Sequence, residues 1–150
     1  MTRSAYDTRR LSFSALRPPA SWSYIVNQSF HGRYRHSAYV VRSTHMGAPE
    51  QTATWTLPIS QPGMYEIFYH IWPYDDAYAS RNNRQWTYRF QLTQESMQTS
   101  FSLTLNEVKE PGWQSLGTCT LHEGDVAFSL TNDSELRYVV ADAVRLVRIR

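Results

Sequence analysis

The densest recognition chemistry in the sequence lies between Trp72 and Trp86. That stretch carries Trp72, Tyr74, Tyr78 and Trp86 together with Asp75, Asp76, Arg81, Asn82, Asn83 and Arg84. Aromatic faces stack on the apolar C–H patches of sugar rings, and planar polar side chains grip the hydroxyls, so this mixture fits a carbohydrate ligand. The candidate ligand-binding residues are therefore Trp72, Tyr74, Asp76, Tyr78, Arg81 and Trp86, with Tyr74, Asp76, Tyr78 and Arg81 exposed and the two tryptophans at the rim. The competing reading is that Trp72 and Trp86 end their strands in a core while the loop is inert. Asp75 and Asp76 are a carboxylate pair, but adjacent loop residues do not reach the opposed separation of roughly 5–9 Å that glycoside chemistry uses. A calcium ligand or a solvated loop tip suits them better.

Other reactive patterns are lacking. There is no Gly-x-Ser-x-Gly, no His-Glu-x-x-His, no phosphate-cradling glycine loop and no cysteine-rich metal spacing. His31 and His36 flank a basic-aromatic patch, yet without a nearby Cys or carboxylate they fall short of a zinc set. The expectation is a chain with no catalytic residue and no cofactor, a structural calcium excepted. The single cysteine, Cys119, cannot form an internal disulfide and sits among strand-like residues, which predicts a buried thiol. Asn27-Gln28-Ser29 and Asn132-Asp133-Ser134 are glycosylation sequons only in a eukaryotic secretory context.

Charge narrows the partners. Fifteen basic against 13 acidic residues leave a net charge of +2, too balanced to imply nucleic acid. Arg3, Arg9 and Arg10 near one end, and Arg145, Arg148 and Arg150 near the other, read as solvated ends, or else as a surface that attracts acidic ligands. No run approaches the roughly 18 apolar residues of a membrane helix, so no membrane insertion is expected. The first 16 residues lack the apolar stretch of a secretory signal. An extracellular or cell-envelope location is then expected only if the chain is part of a longer secreted protein.

What must position these residues is a set of short strands. In Trp86–Thr93 the residues Trp86, Tyr88, Phe90 and Leu92 point one way and Thr87, Arg89, Gln91 and Thr93 the other, a strand with one face in the core. The same alternation places Ala53, Trp55 and Leu57, then Phe101, Leu103 and Leu105, then Val126, Phe128 and Leu130 on inner faces. Tyr65–Trp72 is apolar at nearly every position, which predicts a central strand covered on both sides. Further strands are predicted at Trp22–Asn27, Ala38–Arg42, Ser115–Leu121 and Tyr138–Val147, with turns at Gln61-Pro62-Gly63, Pro111-Gly112, His122–Asp125 and Asn132–Ser134. No window shows a helical stripe. The prediction is an all-β, two-sheet antiparallel β-sandwich or jelly roll over residues 20–150, behind a polar arm or linker at 1–19 that closes on Pro18-Pro19.

The second half carries an ordered set of motifs: Gly112-Trp113-Gln114-Ser115-Leu116-Gly117-Thr118, then Gly124, then Val126–Asn132, then Val140-Ala141-Asp142-Ala143-Val144-Arg145-Leu146. Upstream stand Ala53-Thr54-Trp55, Pro58 and Gly63-Met64-Tyr65-Glu66-Ile67-Phe68-Tyr69. From about His31 to Val147 this resembles the golvesin C-terminal-like domain, also called the xanthan-lyase carbohydrate-binding-like domain. The resemblance implies a β-sandwich appended to bacterial extracellular or envelope proteins, often enzymes acting on polysaccharides. The motif residues themselves read as architecture. Trp113 is expected to plug a sheet end, Leu116 and Gly117 to start a core strand, and Asp142, in phase with Val140 and Val144, to point inward as a hydrogen-bonded polar anchor.

Two functions follow from these readings. The first is a non-catalytic accessory module for carbohydrate binding or surface adhesion, with a polysaccharide as partner. The second is a structural docking module that assembles with a neighbouring protein domain and binds no sugar; aromatic and Arg enrichment fits that interface equally well.

Overall fold

The computed structural model describes residues 23–26, 37–71, 86–108, 110, 112–136 and 138–150. Among them lie ten strands and no α-helix: β1 Ser23–Val26, β2 Ser37–Arg42, β3 Thr52–Ile59, β4 Gly63–Ile71, β5 Thr87–Gln94, β6 Met97–Thr104, β7 Gly112–Leu121, β8 Gly124–Thr131, β9 Tyr138–Ala141 and β10 Val144–Arg148. Single 3₁₀ turns follow β2 and β6. Every pairing is antiparallel. The hydrogen-bonded orders are β3-β8-β5-β6, β10-β4-β7 and β1-β2-β9. The four-stranded sheet forms one layer of the sandwich, and the two three-stranded sheets, joined by the chain from β9 to β10, supply the other.

Alternation builds the core as the sequence predicts. Tyr88, Phe90 and Leu92 of β5 and Val126, Phe128 and Leu130 of β8 are buried, and they meet Tyr65, Ile67, Tyr69 and Ile71 of β4 from the opposing layer. Tyr69 is the central ring: its centroid lies 4.8 Å from Phe90 and 6.3 Å from Trp55, while Phe90 stacks on Phe128 at 5.3 Å. Such tilted and offset aromatic contacts add to the apolar area already buried. Pro58 lies inside β3, paired with Asp125. A proline without an N–H is tolerated there because β3 is an edge strand. The strand therefore runs two residues past the predicted end at Leu57.

One predicted strand is two. Tyr138–Val147 breaks at Asp142-Ala143, where the chain leaves the side of β2 and joins the side of β4. β9 is thereby left at the edge of its sheet, and an edge exposes backbone groups that need partners. Two buried tyrosines supply them. The Val140 N–H donates to the Tyr88 hydroxyl at 2.9 Å, and the Tyr69 hydroxyl donates to the Val140 carbonyl at 2.6 Å while accepting from the Asp142 N–H at 2.9 Å. Burial raises the pKa of both phenols, which keeps them protonated at any ordinary pH.

Asn132, fully buried, ties the end of β2 to the segment that leads into β3. Its side-chain amide donates to the carbonyls of Arg42 and Pro49, and its carbonyl oxygen accepts from the Gln51 N–H at 2.7 Å. The amide nitrogen that a glycan would use is thus committed to the fold. Cys119 is half-buried, not fully buried as its strand context implied, because β7 also borders solvent.

Candidate functional site

β4 is the middle strand of β10-β4-β7, but only its odd-numbered face is in the core. Glu66, Phe68 and His70 occupy the other face and are half-buried, so the strand is not covered on both sides as its apolar run implied. These three side chains repeat at the two-residue spacing of a strand, roughly 7 Å apart, along an open sheet face.

β7 adds a tryptophan to that face through a change of phase. Gly117 pairs with Ile67, but Ser115 pairs with Phe68, so Leu116 is an extra residue in a β-bulge. Counting by twos from buried Leu121 through Cys119 and Gly117 would send Ser115 and Trp113 to the core. The bulge shifts them to the outer side, where Trp113 stands opposite His70. Gly117 makes the bulge possible: its φ is +135°, and a Cβ there would lie 3.3 Å from the Phe101 ring. Trp113 is therefore half-buried on the sheet's outer face and does not plug a sheet end.

β10 supplies the cation. Arg145 pairs with Phe68, and its guanidinium carbon lies 4.9 Å from the Phe68 ring centroid and 4.6 Å from that of Trp113. The side chain thus reaches across β4 and lies over rings from two strands, a cation–π arrangement of the usual range. Residue 145 is exposed, and its side chain's only interactions among the described residues are these two ring contacts. Beside it the Ser115 hydroxyl donates to Glu66 Oε1 at 2.8 Å.

Asp142 supports the cluster from below. Its side chain is 4% exposed, and its Oδ2 lies 3.2 Å from His70 Nδ1. Burial was the expectation; the partner, however, belongs to the outer face of β4 and not to the valine core. Burial lowers the His70 pKa, so at neutral pH the neutral ring donates from Nδ1 to the carboxylate. That bond sets the ring plane, and the ring stands edge-on to Trp113 with centroids 5.2 Å apart. The order of support runs from Tyr69, which holds the Asp142 backbone, through Asp142 and His70 to Trp113 and Arg145.

The residues singled out in the sequence divide accordingly. Trp72, Tyr74, Asp76, Tyr78 and Arg81 lie outside the described residues, as do Asp75, His31 and His36. Trp86 is described, and it is 2% exposed within the core cluster, so its indole is not at the rim of a surface site. It precedes β5 on the inner face, and its backbone N–H donates to Asn106 Oδ1 at 2.7 Å. Trp113, Gly117 and Asp142 converge on one sheet. Phe68, Glu66 and Ser115 complete the face and were not singled out as ligand contacts, whereas Arg145 had been read as a solvated end or part of a surface for acidic ligands; the readable signal was the Glu66, Phe68, His70 alternation hidden inside an apolar run. Among the described residues no three His, Cys, Asp or Glu side chains are grouped to hold a metal ion. No helix among them is long and apolar enough to cross a membrane.

A two-layer antiparallel sandwich whose bulged strand brings Gly112-Trp113 and Leu116-Gly117 beside an Asp142-Ala143 crossover defines an all-β module built on the motifs noted in the sequence. The golvesin C-terminal domain model matches residues 12–148, and the chain belongs to that family. Among solved structures it is similar to a Paenibacillus xanthan lyase, with a TM-score of 0.64 and 23% identity over 87% of this chain. The chain spans 11% of the lyase's length, and the likeness is one of fold. No curated protein sequence matches it.

Proposed function

We propose that the domain is a non-catalytic carbohydrate-binding module of a larger extracellular or envelope protein, and that the outer face of β10-β4-β7 is its binding surface. The observation that carries this reading is Arg145 laid over Phe68 and Trp113 beside the Ser115–Glu66 pair. Rings, a planar cation, a carboxylate and a hydroxyl on a shallow sheet face are the groups that stack on sugars and bond to their hydroxyls. The fold shared with a small part of a xanthan lyase supports an accessory role next to polysaccharide chemistry. The residues Tyr74, Asp76, Tyr78 and Arg81 remain a second proposed contact surface, read from their chemistry alone.

Affinity electrophoresis through gels cast with a panel of soluble polysaccharides tests the reading, with and without a chelator to expose any calcium dependence. Retardation by at least one polymer is expected, and Phe68→Ala should abolish it with little change in melting temperature. If retardation is lost instead on replacing 73–85 by a short Asn-Gly connection, the surface lies in that loop. The alternative, a docking module without sugar affinity, draws on Val147 and Ile149, 38% and 49% exposed along the edge formed by β10. It is favoured if every polymer fails to retard the protein.

A further inference from the structure

The geometry points to a carboxylate-bearing sugar, a uronate or comparable acidic residue within a polysaccharide, as the ligand of the Arg145 site; the inference rests on the carbohydrate-binding reading above. A guanidinium has two kinds of surface. Its π faces lie against aromatic rings, while its N–H donors radiate from the edge in the plane. In this face Phe68 and Trp113 occupy ring contacts at 4.9 and 4.6 Å, and no acceptor among the described residues takes an edge donor of Arg145. The aromatic contacts hold the cation in place without using its hydrogen-bonding capacity. An edge of this kind matches the two oxygens of a carboxylate, and the resulting bidentate pair is stronger and more directional than a bond to a hydroxyl.

The neighbouring acids do not satisfy that cation. Asp142 is turned toward His70 and is 4% exposed, and Glu66 accepts from Ser115 one pleat away from Phe68, the residue opposite Arg145. The exposed charge above the rings is therefore positive. Glu66 and Ser115, on the same face beside Phe68, offer a carboxylate and a hydroxyl to the hydroxyls of the same sugar. A neutral sugar offers the Arg145 edge only hydroxyl oxygens; an acidic one offers it the two oxygens of a carboxylate.

The test pairs chemistry on the ligand with chemistry on the protein. Polygalacturonate, alginate and hyaluronate are titrated into the full chain at low and moderate salt, each alongside its carboxyl-reduced counterpart. The expected result is binding to at least one acidic polymer that falls at least about tenfold on carboxyl reduction and by a similar factor in Arg145→Gln. Arg145→Lys keeps the charge but not the planar edge, so it should recover only part of that loss. Melting curves of both variants establish that they are folded. Equal binding to acidic and reduced polymers overturns the inference and leaves carbohydrate binding standing. No binding to any polymer, acidic or neutral, overturns both. Binding of polyglutamate as tight as that of the acidic glycan, with the same loss in Arg145→Gln, shows a site that reads negative charge alone and also overturns it.

Discussion

Removing one oxygen atom from Tyr69 isolates the contribution of the crossover between β9 and β10. In Tyr69→Phe the ring keeps its contacts with Phe90, Trp55 and Tyr88, so packing changes little. Two backbone groups lose their hydroxyl partner: the Val140 carbonyl and the Asp142 N–H. A buried group left without a partner costs about 1–3 kcal/mol, so the pair costs about 2–6 kcal/mol. For a domain of this size 1 kcal/mol lowers the midpoint by about 2–4 °C, which places the expected drop at roughly 4–24 °C. Tyr88→Phe is the internal control, because its hydroxyl serves only the Val140 N–H among the bonds to this crossover, and its drop should be about half as large. Thermal unfolding followed by circular dichroism measures both. A Tyr69→Phe midpoint within a degree of the parent, or one above that of Tyr88→Phe, would refute the view that these hydroxyls seal the open edge of β9.

Three further outcomes are expected. Asp142→Ala removes the acceptor of His70 in a nearly closed setting, should cost roughly 1–3 kcal/mol in denaturant titrations, and an unchanged midpoint would mean the carboxylate is solvated. Gly117→Ala puts a Cβ at a φ of +135° against Phe101 and should destabilise by about 1–3 kcal/mol; wild-type stability would show that the bulge does not need a glycine. Because burial lowers the His70 pKa beneath its unfolded value of 6.5, the unfolded chain binds the proton more readily, so its contribution to stability is complete above that value and declines as pH falls below it. The midpoint of the parent should therefore drop between pH 7.5 and 5 more steeply than that of His70→Gln, and parallel slopes would show that His70 is not responsible.

Most of the sandwich is legible in the sequence because a two-residue period leaves one face apolar. β5 shows this plainly, with Tyr88, Phe90 and Leu92 buried and Thr87, Arg89 and Gln91 half-exposed. What escaped depends on contacts distant in sequence. Nothing local marks the turn at Glu95-Ser96, where Glu95 takes a φ of 52° without the help of a glycine. Nothing local reveals that Pro58 is on an edge, since that depends on which strands lie beside β3. The break at Asp142-Ala143 was hidden because Val140, Asp142 and Val144 continue an apparent period that the chain interrupts to change sheets. The clustering on the outer face of β10-β4-β7 was missed for the same reason: Trp113 and Phe68 share a side only after the bulge has shifted the phase of β7, and Arg145 joins them only through the β10–β4 register.

The bulge at Leu116 has a consequence for how β7 can change length. The face to which a residue of β7 belongs is counted along β4, and Leu116 is the position that this count skips. Excising Leu116 would let Ser115 and Gly117 follow one another against Phe68 and Ile67, with Trp113 still opposite His70. The strand would lose an apolar side chain that packs against the core, yet every remaining residue would keep its side of the sheet. A single deletion farther along Gly112–Leu121 must either create a second irregularity or use up the bulge, exchanging inside for outside for the residues between it and Leu116. Length variation of one residue is therefore tolerated in this strand at the bulge, while elsewhere in it residues are gained or lost in pairs.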